Sequence, residues 1–282
     1  MKKSLAILLF IGLGLIALIF QLPKGNVSNK QNAVAGTANR DANGMKEEVK
    51  TSQNEEPHAA PLTVQQQKEI SSLKVKLAAA SAEGAQLKVL DQLIKTFVEA
   101  NRIDSAAFFA EQFSKKYGTL PNILKTAQLY FEAQTYAIDS KKGSLLGEKA
   151  REYFEKALSL DPNNLLVKTN MAMTYVDTPT PMKGITLLRE VIEQEPTYVP
   201  ALFNLGLLSI KSNQFGKGQE RFTQILKLEP NNFKAALNLG FCLAQLDKHD
   251  EAEKILKRVL KESKDAQEQK AAKELLAEMQ KH

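Results

Sequence analysis

One pattern returns every 34 residues and constrains this 282-residue chain more than any single side chain does. Asn170-Met171-Ala172, Asn204-Leu205-Gly206 and Asn238-Leu239-Gly240 stand in the same register. Further along each unit, small residues recur at Gly184, Gly218 and Ala252, and large apolar residues follow four later at Leu188, Phe222 and Leu256. Apolar pairs come next, at Val191-Ile192, Ile225-Leu226 and Val259-Leu260. Pro162, Pro196 and Pro230 close successive units, and Lys264 stands where the next proline would. Helical spacing inside a fixed period means stacked helix-turn-helix units. One pair cannot bury its own apolar stripe, so several must stack.

These residues resemble the tetratricopeptide repeat, whose first helix carries a Leu-Gly pair and a tyrosine and whose second carries an alanine, an aromatic residue and a closing proline. Leu205-Gly206 and Leu239-Gly240 fit, as do Tyr136 and Tyr175, whereas Ser209 and Leu243 replace the tyrosine and the early tryptophan is absent. The match is strong over 165–264 and good over 129–162. The resemblance implies an all-α, right-handed helical-repeat solenoid of antiparallel helix pairs. The repeat array is expected over 85–264.

Residues 87–118 read as one more, degraded unit. Leu90, Leu93, Ile94, Phe97 and Val98 have helical spacing, Asn101 to Asp104 reads as a turn, and Ala106, Ala107, Phe109, Ala110 and Phe113 give a second apolar face. Ser140 to Ser144 read as a lengthened loop between two helices. An N-terminal helix is expected over 63–84, capped by Thr63 and broken at Gly84. A charged capping helix is expected over 265–282, started by Asp265, with Ala272, Leu275, Leu276 and Met279 on its apolar side.

Residues 4–22 carry no charge and follow Lys2 and Lys3. That is about the ~20 apolar residues a membrane-spanning helix needs. A cleavable signal peptide would end in small residues. The bulky Ile19-Phe20-Gln21-Leu22 points instead to an uncleaved anchor, so residues 1–22 are expected to form a transmembrane helix. Lys24 and Lys30 lie shortly after it, so the positive-inside bias is slight. It favours exporting the repeat domain, into the periplasm in a bacterium, and the opposite orientation stays open. Residues 23–62 lack aromatic side chains, are poor in apolar ones, and read as a disordered tether.

The net charge of +6 is spread over the chain, and the span 247–281 balances nine basic against nine acidic residues. No nucleic-acid footprint follows. Cys242 is the only cysteine, and His58, His249 and His282 have no metal-ligand spacing. No catalytic, cofactor or metal site is expected, and the chain reads as a non-enzyme.

In the family that these repeats resemble, the first helices line a concave groove. The asparagines Asn170, Asn204 and Asn238 are then expected to hydrogen-bond a peptide backbone, since a primary amide both donates and accepts. Spacing around them places Met173, Phe203, Leu207, Ile210, Lys211, Leu237 and Phe241 along the same face. The expected ligand is a protein or peptide, apolar or amphipathic. The groove could instead be covered by the 63–80 helix or by a second copy, making the array a self-associating homodimeric scaffold.

Overall fold

The computed structural model describes residues 61–280. Among them are twelve α-helices and no strand: α1 (Val64–Ala79), α2 (Glu83–Glu99), α3 (Ile103–Lys116), α4 (Leu120–Tyr136), α5 (Ser140–Leu160), α6 (Leu165–Met173), α7 (Pro181–Gln194), α8 (Val199–Lys211), α9 (Phe215–Leu228), α10 (Phe233–Gln245), α11 (His249–Glu262) and α12 (Ala266–Met279). The anchor and tether are expected over 1–62, and all of that span but residues 61–62 lies outside the described residues. No described helix is long and apolar enough to cross a membrane.

The 34-residue period is explicit in the geometry. α6, α8 and α10 start at 165, 199 and 233, and α7, α9 and α11 at 181, 215 and 249. Each helix packs on its sequence neighbour, and α4, α6, α8, α10 and α12 also pack on one another in succession. The first helices of successive pairs therefore form one row.

Local chemistry sets the ends of these helices. Asn164 and Asn232 cap α6 and α10 by accepting from Val167 N and Ala235 N at 3.0 Å each. Asn213 and Asp247 close the turns inside their pairs with a left-handed φ of 58°, and Asn101 does the same at 55°. Asparagine and aspartate tolerate that conformation better than most residues. Pro162, Pro196 and Pro230 then stop α5, α7 and α9, since proline has no amide proton to continue a helix. Its carbonyl is used as well: Gln224 Nε2 donates to Pro196 O at 3.0 Å, and 34 residues on Arg258 donates to Pro230 O.

Small residues bring the paired helices together. A Cβ on Gly184 would lie 2.3 Å from Ala172 O, and one on Gly206 would lie 2.6 Å from the Phe222 ring. Ser209 replaces the tyrosine of the preceding unit, and Arg221 reaches across from α9 to donate to its hydroxyl at 2.5 Å. Cys242 is fully buried against Gly218, and burial pushes its thiol up to about 12, which leaves it an inert packing group.

Two expectations change. Ser140 to Ser144 are not a loop but the first turns of α5, a 21-residue helix capped by Asp139, whose carboxylate accepts from Lys142 N at 2.7 Å. Gly84 does not end α1; the break falls at Ala80 to Ala82 and Gly84 lies in the first turn of α2. Thr63 does cap α1, through a reciprocal capping box with Gln66.

Candidate binding groove

The row of first helices presents an accessible stretch on α6 and α8. Asn170, Met173, Phe203, Asn204 and Leu207 are all half-buried there. Phe203 is braced edge-on against Phe222 of α9, with ring centroids 5.6 Å apart. Val176 is half-buried beside them, and Lys211 pairs with Asp177, the residue one period earlier. The two helices thus present two amides and three apolar side chains, with Val176 just past the end of α6 and a neutralised charged rim.

The same positions on α10 are different. Leu237 and Asn238 are fully buried and Phe241 nearly so, and on α8 Ile210 is buried as well. Phe241 packs edge-on against Phe215 of α9 at 5.8 Å. α10 is enclosed by α8, α9, α11 and α12. Repeat spacing expects Ile210, Leu237, Asn238 and Phe241 on an open surface, and the fold uses them as core instead. Asn238 spends its amide Nδ2 on Lys234 O of its own helix at 2.8 Å, and its Oδ1 meets no donor.

A second polar centre escapes the sequence reading altogether. Glu111 on α3 is buried and takes four donors: Tyr130 Oη at 2.7 Å, Tyr153 Oη at 3.2 Å, Lys149 Nζ at 2.9 Å and Lys115 Nζ at 3.2 Å. Burial pushes the carboxyl up, but the hydrogen bonds from Tyr130, Lys149 and Lys115 outweigh it and hold it down at about 2. Burial and the adjacent carboxylate push both tyrosines up, so they remain donors. With every donor committed to one ionised oxygen pair, the cluster binds α3, α4 and α5 together and has no free acid or base to offer a substrate. The available signal was Glu111 lying among Ala107, Ala110 and Ser114 on an otherwise buried helix face.

Among the described residues no three histidine, cysteine or carboxylate side chains are placed to hold a metal. A surface cleft of about 400 Å³ between α1 and α2 is lined by Glu69, Lys76, Lys95 and Glu99 around Leu73. Its charges are mixed and it converges on no single group.

Against known proteins, the family model of the tetratricopeptide repeat matches residues 209–278, and a second repeat model matches 148–164. The chain carries tetratricopeptide repeats. The crystal structure of a tetratricopeptide repeat protein from Parabacteroides merdae superposes with a TM-score of 0.53 at 14% identity, covering 75% of this chain and 84% of that one. That likeness shows the solenoid fold. Among curated relatives, human protein O-mannosyl-transferase TMTC3 is 28% identical over 148 residues, which is 48% of this chain and 16% of that protein. Cellulose synthase operon protein C of Pseudomonas fluorescens is 27% identical over 204 residues, 65% of this chain and 16% of that protein. The chain spans about a sixth of the length of these relatives.

Proposed function

We propose that this protein is a membrane-tethered, non-enzymatic adaptor or assembly factor whose repeat array holds a polypeptide segment along α6 and α8. One observation carries the reading: Asn170 and Asn204 stand half-exposed one period apart, each beside half-buried apolar side chains, Met173 at the first and Phe203 and Leu207 at the second. An amide can pair with a peptide unit of any sequence, while Met173, Phe203 and Leu207 would grip apolar side chains. The tetratricopeptide fold supports an interaction role. In this reading residues 4–22 are the membrane anchor and 23–62 the tether, with the array exported.

The test is photo-crosslinking in cells from a probe at Leu207, with and without Asn170→Ala and Asn204→Ala together. Discrete crosslinks to another protein, lost in the double variant, support the reading. Crosslinks only between copies of the chain, unchanged by the substitutions, would replace it with a self-associating scaffold.

A further inference from the structure

The α11–α12 joint breaks the repeat. α12 starts at Ala266, one residue ahead of the position 34 after Phe233, and Lys264 stands where Pro196 and Pro230 stand. Polar side chains hold the joint in place of proline. The buried Ser263 donates from Oγ to Glu268 at 2.6 Å, Gln269 Nε2 donates to Ser263 O at 2.7 Å, and Asp265 caps the helix by accepting from Gln267 N at 2.7 Å. After this shorter connection, α12 lies along α10 more extensively than α10 lies along α8 or α8 along α6.

α10, which carries the third segment of the groove, packs directly on α12. Leu237 and Phe241 share one apolar cluster with Ala271, Ala272 and Leu275 of α12. The equivalent asparagines on α6 and α8 are half-exposed, but Asn238 is sealed in with its Oδ1 unpartnered. An amide oxygen enclosed without a donor is less stable than the same oxygen in water or bonded to an N–H.

We propose that α12 is a displaceable plug, an internal competitor that occupies the α10 segment of the groove until a bound polypeptide extends from α6 and α8 and takes its place. The inference rests on the groove reading above. α12 grips with few anchors, since Ala271, Ala272 and Leu275 are its only buried residues, whereas nine residues of α10 are buried. A helix of 14 residues is marginal in water by itself, so once lifted it gains chain entropy. Lys270, Lys273 and Glu274 are exposed and keep it soluble when free. An incoming backbone N–H could satisfy Asn238 Oδ1, which α12 leaves without a partner.

Native-state hydrogen exchange on the full chain tests the plug without any ligand. The amides of α12 should exchange at least about 10-fold faster than those of α10 and α11, as an independently opening unit does. Exchange of α12 at the same rate as α11 would overturn the proposal. A second measurement uses a fluorescent synthetic peptide of residues 266–279 as the probe. It should bind Leu275→Ser, whose own α12 is loosened, about 10-fold more tightly than it binds the unsubstituted chain. Equal binding to both, with helical content unchanged by circular dichroism, would also overturn it. The two readings fail separately. A Leu207 probe that captures a partner while α12 exchanges with α11 removes the plug alone. A Leu207 probe that captures nothing while α12 opens and the peptide binds removes the ligand and leaves an intramolecular closure.

Discussion

The units built from α2 to α5 and those built from α8 to α11 solve the same packing problem by different means. In the second region, shape does the work: Gly206 lies over Phe222, Gly240 over Leu256, and side chains from one unit reach the closing proline carbonyl of the unit before. In the first, an ionised carboxylate gathers the donors of three helices, and Lys142 adds a pair with Asp104 at 2.7 Å between α5 and α3. Shape-based contacts repeat because each unit presents the same surface to the next. A charge cluster has one centre, so it cannot repeat, and the period fades where it sits.

The largest effect that would sharpen this contrast is in the shape-built region. Phe222→Ala removes a fully buried ring and should cost about 4 kcal/mol in urea unfolding. A loss well under half of that would mean the units there are looser than their fit implies. Glu111→Ala should cost about 3 kcal/mol, because Tyr130 and Tyr153 are left buried without their acceptor.

The same residue predicts a pH signature. The carboxyl is held down in the folded chain, so its stabilisation is complete above the ordinary carboxylate range. It is lost as pH falls from about 4.5 through about 2. Glu111→Gln should flatten that acid limb, whereas Phe222→Ala should lower the whole curve without changing its slope. Parallel acid limbs in the unsubstituted chain and Glu111→Gln would refute the assignment.

Gly184→Ala should cost about 2 kcal/mol, since a methyl meets backbone that cannot swing aside. The smallest effect runs the other way. Gly216 in α9 has open space at its Cβ position, and Gly216→Ala should stabilise by about 0.5 kcal/mol. Thermal melts of the two alanine variants side by side distinguish glycine used for contact from glycine that is not.

What could be read from the sequence follows the same division. The helix pairs over 165–264 and the caps at Thr63 and Asp265 depend on local spacing and short-range hydrogen bonds, and these the amino-acid order displays. The helical start of α5 was hidden because Lys141-Lys142-Gly143-Ser144 has the composition of a loop, while Asp139 supplies the cap that makes it helix. Glu111 was hidden because three of its four partners are 19, 38 and 42 residues away. In the groove, spacing placed Asn170 and Asn204 on the accessible face but could not foresee that Asn238 would be sealed. That depends on how α12 packs on α10 after a connection one residue shorter than those that precede α6, α8 and α10.

The shortness of α6 has a mechanical consequence. It ends after nine residues, where Thr174 donates its hydroxyl back to Met171 O at 2.6 Å. Its Val167 and Met171 belong to the apolar cluster on one side and its Ala172 to the cluster on the other. Polar bridges help to hold this seam, with Arg151 and Gln134 both donating to Thr174 O, at 2.9 and 3.4 Å. α8 spans the next boundary in the same way, with Ala201 and Leu205 in one cluster and Leu202 and Ile210 in the next, so an array under tension would yield as three blocks and not unravel helix by helix.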